Sequence, residues 1–212
     1  MSFITLADYI GVFVFAVSGG LVAIRHNMDL FGILVVGLLP AIGGGTLRDV
    51  LLDVPVFWLA DPWVVCVALA GGVGAIIYKS WTRVKLFVWV DALGLALFAM
   101  LGTYKAYSLD AGFMTSVMMG TITATAGGLI RDVVCGGPPI LLKEDIYATA
   151  ALFGSSLGCW ALFSGVSTPI SLLLGFIAVF TIRAMAIKYE LSLPSSDWVR
   201  GKLYRNPSNP DD

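Results

Sequence analysis

Two short charged motifs lie inside apolar stretches of this chain, 83 residues apart. The first reads Gly43-Gly44-Gly45-Thr46-Leu47-Arg48-Asp49 and the second Gly127-Gly128-Leu129-Ile130-Arg131-Asp132. On insertion scales a charge near the centre of a bilayer costs about 2.5–3.5 kcal/mol, so it is rarely kept without a use. Glycines before it permit backbone angles that side chains forbid, which predicts helices interrupted at both places. Two such places in register predict a permeation site built from two related halves.

Composition supports a polytopic membrane protein: of 212 residues, 58% are hydrophobic and 13% charged. The net charge of −1 gives no basis for nucleic-acid binding. Cys66, Cys135 and Cys159 are odd in number and dispersed, which excludes a disulfide framework or zinc site and predicts buried packing thiols. Ala16-Val17-Ser18 loosely resembles a signal cleavage site. However, residues 1–7 carry no Lys or Arg, so the first apolar stretch is read as a mature span. With no Ser/His/Asp set, His/Cys ligand cluster or phosphate loop, the chain is read as a non-enzyme without cofactor or metal.

Apolar runs predict seven helical spans, near 5–24, 30–52, 61–78, 87–106, 112–134, 146–163 and 168–187. The second is expected to break at Pro40 and Gly43–Gly45, and the fifth at Gly127–Gly128. Together, 1–187 form one transmembrane domain, followed by a polar tail over 190–212. Cations concentrate on one side: Arg25, then Lys79, Arg83 and Lys85, then Lys143, then Lys188, Arg200, Lys202 and Arg205. The positive-inside rule therefore predicts a cytoplasmic C-terminus and an outer N-terminus.

Sliding the chain by 83 aligns repeat one, about 5–79, with repeat two, about 88–163. Matched identities include Asp8/Asp91, Gly11/Gly94, Phe15/Phe98, Gly19/Gly102, Gly37/Gly120, Gly44/Gly127, Gly45/Gly128, Arg48/Arg131, Asp49/Asp132 and Pro55/Pro138. Membrane composition inflates glycine matches, but not Asp, Arg and Pro at one constant offset. A unit of three spans reverses direction when duplicated, so the halves are expected to be inverted. The seventh span has no partner.

Each candidate residue has a bland reading beside its functional one. Arg48, Asp49, Arg131 and Asp132 are either a structural clamp or gate between the halves, or contacts for permeating ions. Adjacent helical residues point in different directions, so Arg48 is expected to meet Asp132, and Arg131 to meet Asp49, across the halves. Thr121 and Thr125 share a helix face and either line a hydrated path or bond back to their own helix. Asp8 and Asp91 read as N-terminal caps or as anionic residues at the two pore mouths. Lys105 either snorkels or acts as a gate. Gly43, Gly44, Gly45, Thr46, Gly127 and Gly128 form the expected kinks, where freed carbonyls would face a cation.

The inverted three-plus-three spans, the seventh span and the two motifs resemble the bacterial branch of the trimeric intracellular cation (TRIC) channel family. The same group is also labelled glycine-transporter-like. The resemblance covers about residues 5–187. It implies a homotrimer in the bacterial inner membrane, in contact with lipid, each subunit holding its own potassium and sodium pore between the repeats. It carries over Gly43, Gly44, Gly45, Arg48 and Asp49, and Gly127, Gly128, Arg131 and Asp132. The second motif departs from the first at Ala126 and Leu129. Two alternatives remain: a secondary transporter of glycine or another small amino acid, and a structural membrane protein that conducts nothing.

Overall fold

The computed structural model describes residues 3–77, 84–137, 139–143 and 146–191. It is all helical: α1 (Phe3–Arg25), α2 (Leu30–Leu51), α3 (Phe57–Ala60), α4 (Trp63–Ile77), α5 (Val84–Ser108), α6 (Phe113–Val134), α7 (Ile140–Lys143), α8 (Ala148–Phe163) and α9 (Thr168–Tyr189). Five of these are long and apolar enough to cross a membrane, whereas α4 and α8 are shorter, at 15 and 16 residues. The short helices α3 and α7 were not expected. They fall at the same repeat position, since Phe57 and Ile140 are 83 apart.

The helices are apolar around their whole circumference, as expected when one side meets packing partners and the other meets lipid. Phe31, Leu59, Trp63 and Phe153 are among the large side chains left exposed on the outside. Cys66 is also exposed, on the outer face of α4, and Cys135 is half-buried, so of the three thiols only Cys159 is buried. At a bundle periphery an apolar residue need not be covered by protein. Lys79, Arg83, Pro138, Arg200, Lys202, Arg205 and the tail beyond 191 lie outside the described residues, as do the side chains of Lys85 and Lys143. Glu190, in the left-handed conformation (φ 50°, ψ 43°), ends α9.

Reciprocal contacts between the repeats establish how they are related. The Phe15 and Phe98 rings meet edge to face, with centroids 5.0 Å apart. A Cβ on Gly11 would come within 2.6 Å of Phe98, and a Cβ on Gly94 would run into Phe15. The partners are thus 11 with 98 and 15 with 94, so one number rises as the other falls. α1 and α5 therefore cross antiparallel about a pseudo-two-fold axis. The same holds for α2 and α6. A Cβ on Gly127 would sit 2.6 Å from the Pro40 carbonyl oxygen, and a Cβ on Gly44 would strike the Thr123 carbonyl oxygen. The halves are inverted, as the odd span number of the repeat requires.

The expected helix breaks do not occur. α2 runs without interruption from Leu30 to Leu51, through Pro40 and the three glycines, and α6 runs unbroken through Gly127 and Gly128. In hydrocarbon a freed carbonyl finds no water, so keeping its helical bond is the stable choice. Pro40 lacks an N–H and leaves the Val36 carbonyl without its helical donor. That oxygen faces Gly19 of α1, where a Cβ would come within 2.5 Å.

Candidate functional site

The glycines place the charges by letting two backbones meet. Gly44 and Gly127 lie at the α2–α6 crossing and are covered by the backbone of the opposite helix. Gly43 is looser: a Cβ there would find Ile130 Cδ1 at 3.4 Å and Gly127 Cα at 3.7 Å. Gly45 makes room for the Phe57 ring, which its Cβ would approach to 2.6 Å. Its repeat counterpart Gly128 instead faces the Tyr147 hydroxyl, 3.1 Å from where a Cβ would sit.

Arg48 and Arg131 each lie one turn beyond these contacts, on antiparallel helices. By the crossing register Arg48 is level with Met119, twelve residues from Arg131, or about 18 Å at 1.5 Å per residue. The cross-pairing expected between the halves is therefore out of reach, and each arginine pairs with the aspartate that follows it. Arg48 Nε donates to Asp49 Oδ1 at 2.8 Å, and Arg131 Nε donates to Asp132 Oδ1 at 2.8 Å. The arginine stem is long enough to fold back, so diverging Cβ directions do not keep neighbours apart. The second oxygen of each carboxylate accepts the first N–H of a short helix: Phe57 N to Asp49 at 2.9 Å, Ile140 N to Asp132 at 2.9 Å. Each guanidinium also lies over an aromatic ring, Arg48 over Phe57 at 5.6 Å and Arg131 over Phe87 at 5.0 Å. All four residues are buried.

Beyond this shared core the two ends differ. At the repeat-two end Arg131 Nη1 donates to Asp91 Oδ1 at 2.8 Å and to Ser18 Oγ at 2.9 Å, and the Ser18 hydroxyl donates to Asp91 Oδ1 at 3.1 Å. This latch ties α6, α5 and α1 together, and Asp91 and Arg131 are both 0% exposed. At the repeat-one end Asp8 is half-buried, with Arg48 and Lys105 in electrostatic range, and no ion pair joins it to Arg48 among the described residues. Asp8 and Asp91 sit inside α1 and α5, several residues past the helix starts, so neither is a cap. Asp91 faces no mouth; it is wholly enclosed. Lys105 is half-buried in the last turn of α5.

The threonines bond back to their own helices: Thr121 to the Val117 carbonyl at 2.9 Å, Thr125 to Thr121 at 2.8 Å and Thr46 to Ile42 at 2.7 Å. Thr46 Oγ1 also accepts from Trp58 Nε1 at 2.9 Å. Sequence reasoning missed Ser18, Tyr147 and Arg183. Arg183 carried a usable signal, a lone charge in the seventh apolar run. Ser18 carried none, since its repeat counterpart is Leu101.

A family model described as glycine transporter matches this chain twice, over 5–80 and 88–163. The inner membrane protein YadS of Escherichia coli K12 is 40% identical over 194 residues, 89% of this chain and 93% of that protein. A membrane protein of Vibrio cholerae is 39% identical over 203 residues, 92% of this chain and 83% of the relative. Among solved structures, the TRIC trimeric intracellular cation channel orthologue from Rhodobacter sphaeroides superposes with a TM-score of 0.86 at 36% identity. That match covers 90% of this chain and 100% of the other. A prokaryotic TRIC channel crystallised in 0.5 M KCl gives 0.82 at 29% identity, covering 90% and 98%. A TRIC channel from C. elegans gives 0.59 at 13% identity, covering 91% and 97%, which reports the fold alone.

Proposed function

Because the chain belongs to the prokaryotic TRIC channel family and is a TRIC cation channel homologue, we propose that it conducts monovalent cations, potassium and also sodium. The path runs between the inverted repeats of each subunit of a homotrimer in the bacterial inner membrane. The observation that carries this reading is the pair of buried Arg-Asp centres at opposite ends of the α2–α6 crossing. Two buried charged centres about 18 Å apart along the crossing fit the two ends of a path.

In this reading Asp8 is the cation-attracting group at the repeat-one end, and Lys105 and Arg48 set the charge that an ion meets there. Asp91 plays the corresponding part at the repeat-two end once its bond to Arg131 opens. Thr121 lines the space between. Its hydroxyl proton is taken by its own helix, which leaves an oxygen lone pair free for a cation.

Purified protein in planar bilayers under a potassium chloride gradient is expected to give unitary currents reversing near the potassium potential. The family model's description favours a second reading, transport of glycine through the same cavity. Labelled-glycine counterflow without unitary currents would establish that reading and remove the channel.

The orientation is tested separately. Arg25 is exposed at the end of α1, with its guanidinium over Phe87 at 4.9 Å, and Lys188 lies at the end of α9 on the same side. A C-terminal fluorescent reporter is expected to mature in the cytoplasm and a C-terminal alkaline phosphatase to stay inactive. The opposite pattern would overturn the topology.

A further inference from the structure

The seventh helix stands outside the repeat, yet it carries a buried arginine towards only one of the two charged ends. Arg183 of α9 is 1% exposed. Its Nη1 donates to the Ile146 carbonyl at 3.0 Å, and its guanidinium lies over the Tyr147 ring at 5.0 Å. Tyr147, also 1% exposed, immediately precedes α8. Its hydroxyl and Arg131 Nη2 converge on Gly128, 3.1 Å and 3.6 Å from the position of an added Cβ. Asp91 and Arg131 both lie within electrostatic range of the hydroxyl. A chain of contacts thus runs from α9 through Arg183 and Tyr147 to the Asp91–Arg131–Ser18 latch.

Among the described residues, the repeat-one end has no such chain. The position matching Tyr147 is Val64 and that matching Ser18 is Leu101, both buried and apolar, and among the described residues no extra helix packs there as α9 does. That end is also the one without a latch. The latched end meanwhile buries Asp91 Oδ2, Arg131 Nη2 and the Tyr147 hydroxyl without a well-formed hydrogen bond among the described residues, although the hydroxyl lies close enough to Asp91 to interact with it. Buried polar atoms without partners disfavour a shut arrangement relative to one that water can enter. Something must offset that, and the cation stacked on Tyr147 is present at this end only.

We propose that Arg183 is a positioning residue that holds Tyr147 against the Asp91–Arg131 latch and so keeps the repeat-two gate shut. The seventh helix then biases an otherwise two-fold path towards a single closed end. This rests on reading the chain as a permeation protein, and the test separates the two ideas.

Cys135 is a native reporter: it caps α6, is half-buried, and has Arg131 and Asp132 in electrostatic range. In a Cys66→Ser, Cys159→Ala background in proteoliposomes, the rate of its reaction with a water-soluble maleimide is measured beside potassium flux. Arg183→Leu is expected to speed labelling roughly threefold or more and to raise flux, with Arg183→Lys in between, because lysine keeps the charge but not the planar stack. In an Asp91→Asn background, where the ion pair that holds the latch is already lost, Arg183→Leu should add nothing. Unchanged labelling in an assembled Arg183→Leu or Arg183→Lys protein overturns the proposal. So does an additional increase in the Asp91→Asn background, or failure of both variants to assemble, which would make Arg183 a residue of the fold alone. Faster labelling with no potassium flux in any variant keeps the gate and removes the channel.

Discussion

Asp49→Ala is expected to destabilise the protein by about 3–5 kcal/mol, the usual cost of removing one partner of a buried ion pair. Asp49 accepts from Arg48 Nε and from the Phe57 N–H, and both oxygens are engaged. Removing the carboxylate therefore strands a guanidinium that is 4% exposed and uncaps α3. Asp132→Ala makes the same deletion at the other end, but Arg131 keeps Asp91 at 2.8 Å. Its loss should be smaller. Thermal unfolding of the purified variants in detergent measures both. Equal losses would show that the Asp91 latch contributes nothing to Arg131, and an unchanged Asp49→Ala protein would remove the ion-pair argument altogether.

Gly44→Val is expected to cost about 3 kcal/mol or more, above the common range for overpacking, because the obstacle is backbone and not a side chain that can turn aside. A Cβ on Gly44 runs into the Thr123 carbonyl oxygen. α2 and α6 would have to separate where their backbones meet, so folded protein and oligomer should be lost together. Gly43→Ala is the control: its Cβ meets ordinary contacts at 3.4 Å and 3.7 Å and should leave folding intact. Size-exclusion chromatography after expression separates the cases. A Gly44→Val protein that assembles like the parent would mean that the two helices are not in backbone contact there.

The membrane class and the helices could be read from composition and apolar runs, because lipid selects for apolar length directly. The repeat could be read because an offset of 83 preserves Asp, Arg and Pro, which composition does not force. The short helices α3 and α7 could not. Four residues carry no periodicity, and what fixes each of them is a carboxylate eight residues earlier accepting its first N–H. The glycines mark both centres in the sequence but do not disclose the part they play there. A glycine before a charge looks the same in sequence whether it frees a carbonyl or admits a neighbouring helix. In lipid the second use wins, since a carbonyl released from its helix has no water to receive it.

By itself, then, the sequence determined an inverted pair of three-helix units with an Arg-Asp centre in each. Three spans are odd, so duplication must invert the second unit, and no packing detail alters that parity. Only the tertiary structure decided which carboxylate each arginine takes, and that the two ends differ. Ion pairs and hydrogen bonds depend on ångström distances between groups such as Ser18, Asp91 and Arg131, far apart in the chain. Those distances follow from the crossing of α1 on α5 and from the packing of α5 on α6. Neither leaves a period or an offset in the sequence.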